Sequence, residues 1–201
     1  MGKLSIRQAE PARDAARILE VYAPYIEKTA ITFETAVPDA AAFERRVAEI
    51  AGAFPYLVLE EDGELIGYAY AHRQAERAAF GWNAELSIYM KEGCDGRGYG
   101  RPLYELLMRL LAMQGYVNFY AVITGSNVRS IAMHERMGFA RCGCHEKTGF
   151  KFGAWHDVAW LHKRVSEGEP GPILSVKALD ADAVREKIEA ARKKIEEKMG
   201  M

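Results

Sequence analysis

Apolar and polar positions alternate at the start of the chain. Leu4, Ser5, Ile6, Arg7 and Gln8 carry the period of a half-buried strand. Over residues 14–26 the period lengthens. Ala16, Ile18, Leu19, Tyr22 and Ile26 fall at near-helical spacing. Residues 31–35 are rich in β-formers and predict a strand ending before Pro38. Asp39 can cap a following helix whose apolar face carries Phe43, Val47 and Ile50. Residues 56–60 and 64–71 predict two strands joined by a hairpin at Glu61, Asp62 and Gly63. A further strand is expected over 84–90, then a glycine-rich stretch, 93–100, and a helix over 102–114 with a wide leucine face. A buried-type strand at 119–124, a short helix at 128–137 closed by Gly138, and strands at 139–145 and 155–164 complete the pattern. This order predicts a mixed α/β layered domain over 1–165. Residues 166–179 have linker composition, and 180–201 predict a charged helix with Val184, Ile188, Ala191, Ile195 and Met199 on one stripe. That tail could dock on the domain, contact a partner, or stay solvated.

Composition changes this picture little. Of 201 residues, 49% are hydrophobic and 27% charged, and the net charge is -1. That balance argues against a nucleic-acid partner. No apolar run approaches the ~20 residues of a membrane span, and the N-terminus lacks the apolar core of a signal peptide. No membrane association is therefore expected. Gly2 begins a myristoylation-like pattern, but Ile6 stands where Ser or Thr is needed. The three cysteines, Cys94, Cys142 and Cys144, form no CxxC pair, so reduced thiols and no metal site are expected, in keeping with a cytoplasmic location.

Between the fourth expected strand and the leucine helix runs Asp95, Gly96, Arg97, Gly98, Tyr99, Gly100 and Arg101. Glycines allow several N–H groups to face one concavity. The helix start adds partial positive charge, and the two arginines can add charge-assisted bonds. The run lacks the third glycine of a dinucleotide fingerprint and the Gly-Lys-Ser/Thr of a P-loop. It resembles the pyrophosphate motif of the GNAT superfamily, (Gln/Arg)-x-x-Gly-x-(Gly/Ala), through Asp95, Gly98 and Gly100. Asp95 departs from that pattern. Its carboxylate must turn to solvent, pair with Arg97, or weaken anion binding.

A second stretch strengthens the resemblance. Asn127, Ser130, His134, Gly138 and Phe139 match the superfamily's second cofactor motif, with the histidine characteristic of the phosphinothricin acetyltransferase group. Residues 31–35 and 149–158 also resemble that group, and the likeness covers roughly residues 4–165. It implies a mostly antiparallel central sheet flanked by helices, here with a C-terminal helical extension. It also implies acetyl-CoA as co-substrate and a homodimer. The strand of Ile88, Tyr89 and Met90 would run beside the pantetheine. Residues 95–101 would hold the pyrophosphate, and Asn127 and Ser130 would hold the pantetheine arm. Glu85 matches the general base and His134 the acid that protonates the departing thiolate. Tyr104 is considered as a substitute acid, but packing on the helix surface is the favoured reading for it. Arg73 and Arg77 would hold a substrate carboxylate, with Phe33, Phe80 and Trp82 as pocket walls. The expected reaction is direct acetyl transfer to the amine of a small molecule resembling phosphinothricin, methionine sulfone or methionine sulfoximine. A peptide N-terminal acetyltransferase and a non-catalytic acetyl-CoA-binding module are the alternatives.

Overall fold

The computed structural model describes residues 2–200; Met1 and Met201, the last residue of the expected tail, lie outside them. The described elements are β1 (Leu4–Gln8), α1 (Pro11–Lys28), α2 (Ala40–Ala53), β2 (Tyr56–Glu61), β3 (Glu64–Arg73), β4 (Asn83–Met90), α3 (Gly100–Gln114), β5 (Asn118–Thr124), α4 (Val128–Arg136), β6 (Ala140–Lys151), β7 (Ala154–Arg164) and α5 (Ala181–Met199). The strands form one sheet in the order β1-β2-β3-β4-β5-β7-β6. Every neighbouring pair is antiparallel except β4 and β5.

Local chemistry explains most of the boundaries. The β2–β3 hairpin turns through Asp62 and Gly63, at φ 52° and 82°, the two left-handed positions of a type I′ turn. Asp39 accepts from the N–H of Ala42 at 2.8 Å and starts α2. Asn127 does the same for α4 through Ser130, at 3.2 Å. Gly115, at φ 105°, closes α3 while Tyr116 N–H bonds back to Leu111 at 3.0 Å.

Two helical layers cover the sheet. On one face α1 and α2 bury Ile18, Ile26, Phe43 and Val47 against Tyr56, Val58 and Tyr68. On the other, the leucines of α3 pack on Leu57, Leu59, Leu86 and Phe119.

The expected strand at 31–35 is a loop. Its polar groups are met by side chains instead of a strand partner. Thr124 Oγ1 donates to the Ala30 carbonyl at 2.6 Å and Lys151 Nζ to the Thr32 carbonyl at 2.8 Å, while Tyr22 and Thr32 hydroxyls lie 2.7 Å apart. The penultimate strand is longer than expected and reaches Lys151. The tail takes the docked alternative. Ala191 and Ile195 of α5 are buried in the α3 layer, and Ile195 is fully inaccessible. Burying such a side chain contributes about 2 kcal/mol. The preceding linker is bound as well. Trp82 Nε1 donates to Gly171 O at 2.7 Å, and Leu174 N–H donates to Gln114 O at 2.7 Å.

An ion network ties β1, α1 and β2 together. Arg7 donates to both oxygens of Asp14 at 2.6 and 2.7 Å and to Glu60 at 2.7 Å, and Arg17 also reaches Glu60 at 2.7 Å. Burial alone would raise both carboxyls. The arginine hydrogen bonds outweigh it, lowering Asp14 and holding Glu60 down at about 2. Replacing Arg7 by leucine leaves two buried carboxylates under-compensated and is expected to cost about 3–5 kcal/mol, read by thermal or urea unfolding. Because the folded values are depressed, the wild-type contribution is complete above the ordinary carboxyl range and lost as pH falls toward about 2. The variant should accordingly lose less stability on acidification than the wild type.

Candidate active site

The site begins where two parallel strands separate. β4 and β5 pair only at Asn83 with Asn118, Ala84 with Phe119, and Glu85 with Tyr120. β3 follows β4 out to Met90, and β7 follows β5 out to Thr124. Beyond Glu85 the two inner edges therefore face a slot. Ile88, Tyr89 and Met90 lie along it. The Tyr25 hydroxyl donates to the Met90 carbonyl at 2.6 Å. The Tyr89 ring turns toward α1, edge-on to Tyr22 and Tyr25 at 4.9 and 5.1 Å.

At the mouth of the slot, Gly93, Gly96 and Gly98 have φ values of 81°, 78° and 94°. Such left-handed positions let N–H groups converge. Gly100 and Arg101 open α3, whose first turn contains no acidic residue. Asp95 is exposed, as one of its expected courses has it, but its partner is not Arg97. It pairs with Arg129 of α4 at 2.7 Å, so a cation from the second motif neutralises it. Arg97 lies 3.6 Å from Glu61 and over the Tyr99 ring, and Arg101 donates to Glu105 at 2.8 Å. Tyr99 is buried, with its hydroxyl donating to Glu61 at 3.1 Å, so its backbone alone faces the mouth.

Glu85 sits at the closed end of the slot, largely shielded. His72, its partner across the ladder, places Nε2 3.6 Å from Glu85 Oε1. Burial raises the Glu85 carboxyl above its usual range, and the charge of His72 opposes that rise.

His134 is 3% exposed. Its Nδ1 lies 2.8 Å from the Ser130 carbonyl, which fixes the ring proton there. Its Nε2 lies 2.9 Å from the Tyr104 hydroxyl. Burial lowers His134, and the Ser130 bond opposes this. The ring expected to act as the acid therefore has its second nitrogen against the Tyr104 hydroxyl. The favoured reading of Tyr104 is corrected. The side chain is fully buried, not spread on the helix surface, and reaches the Leu86 carbonyl at 3.4 Å where β4 and β5 part. Burial pushes its hydroxyl well above the usual tyrosine range, and the nearby Glu85 charge adds to this. Asn127 uses its side-chain oxygen as the α4 cap, and Ser130 Oγ lies 3.4 Å from His134 Nδ1.

The expected substrate residues are only partly brought together. Arg73 and Arg77 are exposed, without a carboxylate partner among the described residues. Phe80 is exposed on the short turn Ala78–Phe80. Phe33 lies on Gly149, where a Cβ would overlap its ring, and 6.2 Å from His156. Trp82 is held to the linker through Gly171 and is not free to wall a pocket with its N–H. Sequence reasoning passed over Lys151 and His72. Lys151 is buried, and that burial lowers its ammonium against the opposing charge of Glu34. A lysine between two phenylalanines was its only signal; for His72 the signal was pairing with Glu85, which requires the register.

An acetylated pantetheine with a pyrophosphate needs an edge of unpaired amides and an anion cradle. The slot and the glycine mouth, with Asp95 neutralised, meet both needs. Comparison with known proteins agrees. The acetyltransferase (GNAT) domain profile matches residues 6–160. The phosphinothricin N-acetyltransferase of Alcaligenes faecalis is 32% identical over 158 residues, 78% of this chain and 80% of that protein. The L-methionine sulfoximine/L-methionine sulfone acetyltransferase of Pseudomonas paraeruginosa is 32% identical across 84% of this chain and 98% of its own. A GNAT phosphinothricin acetyltransferase from Sinorhizobium meliloti, solved with acetyl-CoA, superposes with TM-score 0.79 at 33% identity, covering 89% of this chain and 96% of its own. The parted strands, the glycine mouth and these likenesses lead to one conclusion: the chain belongs to the GNAT acetyltransferase family and is an N-acetyltransferase using acetyl-CoA as acetyl donor.

Proposed function

We propose that the enzyme acetylates the α-amine of a compact amino-acid-like substrate of the phosphinothricin or methionine sulfone and sulfoximine type. The observation that carries this reading is Glu85, a shielded carboxyl with a raised pKa at the closed end of the slot. The names of the relatives support the substrate class. Acetyl-CoA supplies an activated thioester. The backbone of residues 86–90 orients it along the slot, and the loop of residues 95–101 holds its phosphates. Glu85 takes the ammonium proton, His72 balances the charge, and the freed amine attacks the thioester carbonyl. The N–C bond forms as the C–S bond breaks, and the second amine proton passes to the departing thiolate, which leaves as the CoA thiol. Tyr104, whose hydroxyl stays protonated, turns its O–H to the departing sulfur and stabilises its charge. His134 is then a positioning residue that holds Tyr104. Arg73 and Arg77 offer unpaired guanidinium groups for the carboxylate, and Phe33 and Phe80 offer apolar walls.

The homodimer reading rests on exposed aromatics. Phe150, Phe152 and Trp155 on the β6–β7 hairpin are 58%, 61% and 59% exposed, an apolar patch that a second copy would cover. Light scattering at micromolar concentration should give twice the chain mass, and Trp155→Glu should reduce it to one.

Glu85→Gln should lower kcat/KM by about 10²–10⁴-fold, measured as CoA release with phosphinothricin, methionine sulfone, methionine sulfoximine and short peptides. In the wild type kcat/KM should rise with pH through the raised Glu85 pKa, because the base works deprotonated; in the variant that rise should vanish. Turnover on peptides alone would overturn the substrate class. Tyr104→Phe should lower kcat by about 10-fold or more, with little change in KM for acetyl-CoA. An unchanged kcat would remove Tyr104 from the reaction.

A further inference from the structure

The matched family profile ends at residue 160 and α5 lies beyond it, yet this helix runs to the glycine mouth. Its apolar stripe is fixed on the α3 layer through Ala191 and Ile195, with Val184, Ile188 and Met199 packed alongside. The last turn of α5 is thereby held next to Gly98. The Cβ and Cδ of Lys198 lie 3.8 Å from the position a Gly98 Cβ would occupy, so the lysine stem covers the loop at that point. One turn earlier, Lys194 Nζ lies 3.4 Å from Glu105. The same carboxylate holds Arg101 at the start of α3. The tail therefore meets the mouth twice, directly through Lys198 and indirectly through Lys194, Glu105 and Arg101.

Charge gives this contact a function. The three arginines at the mouth all have acidic partners: Arg97 with Glu61, Arg101 with Glu105, and Arg129 with Asp95. Each pair is locally neutral, and each guanidinium must share its donors with a carboxylate before it meets a phosphate. Lys198 differs. Among the described residues it has no acidic partner, although α5 carries ion pairs through Arg185, Arg192 and Lys194. An ammonium in the last turn also offsets the negative end of the α5 dipole, which otherwise faces the mouth.

We infer that α5 is a built-in part of the acetyl-CoA site, a strap that supports the glycine mouth and brings Lys198 to the phosphates of the co-substrate. Lys198 binds the phosphate end alone and takes no part in acetyl transfer. Lys194 is a positioning residue that acts through Glu105 on Arg101. The inference rests on the proposed placing of the co-substrate phosphates at residues 95–101, and is independent of the acceptor amine and of the roles of Glu85 and Tyr104.

The test is isothermal titration of the full chain with acetyl-CoA, paired with competition by pantetheine, which carries no phosphate. Lys198→Ala should weaken acetyl-CoA binding about threefold and Lys198→Glu more, with the difference shrinking as salt is added. Pantetheine competition should be the same in wild type and both variants, and so should the melting temperature without ligand. Unchanged acetyl-CoA affinity in Lys198→Glu would overturn the inference. So would an equal loss for acetyl-CoA and pantetheine, which would make α5 scaffold only. Lys194→Ala should give a smaller loss of the same kind, and Arg101→Ala combined with it no further loss from Lys194. These readouts are binding constants, so failure of the Glu85 mechanism would leave them intact.

Discussion

The parting of β4 and β5 after Glu85 is the constraint on which the rest of this molecule depends. Backbone groups inside a sheet must be paired, and leaving a run of them open is costly unless something else meets them. Here part of the need is met from the flanking layers. The Tyr25 hydroxyl of α1 serves Met90, and the Tyr104 hydroxyl of α3 serves Leu86. What remains open is an extended edge of the kind an acyl pantetheine can pair. The two helices that satisfy the slot also bound it, so its width follows from core packing.

Electrostatics in the site follow from depth. At the closed end, burial raises Glu85 and lowers His134, so each group is pushed toward its neutral form. A carboxyl moved upward is a better base toward an ammonium, while a histidine moved downward holds its extra proton less readily. The Tyr104 hydroxyl lies 2.9 Å from His134 Nε2 and 3.4 Å from the Leu86 carbonyl, where the strands part. At the open end the same physics runs the other way. Exposed arginines are paired with carboxylates, and the unexpected Asp95 is matched by Arg129 from the helix that carries the second motif. A departure in one motif is compensated in the other, across 34 residues of sequence.

Stability is organised away from this opening. The Arg7, Asp14 and Glu60 network clamps the far side of the sheet, where β1, α1 and β2 meet. The α5 helix adds a second brace on the α3 layer. The α5 brace lies along α3, which carries the glycine mouth at its start and Tyr104 one turn in. Placing rigid packing behind a slot that is itself open is how a fold keeps reactive groups within a fraction of an ångström without closing the entrance.

Much of this was legible along the chain. The period of apolar residues gave all seven strands of the sheet approximate positions, and Asp39 and Gly138 marked helix ends, because those signals act over a few residues. The glycine run and the Asn127 to His134 spacing pointed to the cofactor through their resemblance to the family's motifs. Residues 31–35 misled because β-propensity reports a surface that fits a sheet, while the actual partners, Thr124 and Lys151, come from about 90 and 120 residues away. The tertiary structure alone decided that Arg129 answers Asp95, that Tyr104 stands against His134, that His72 faces Glu85, that Trp82 is tied to the linker, and that the α5 stripe ends at Gly98. Each of these is a distance between residues far apart in sequence. Local sequence sets which conformation a segment prefers, and only the folded packing sets which side chains share a site.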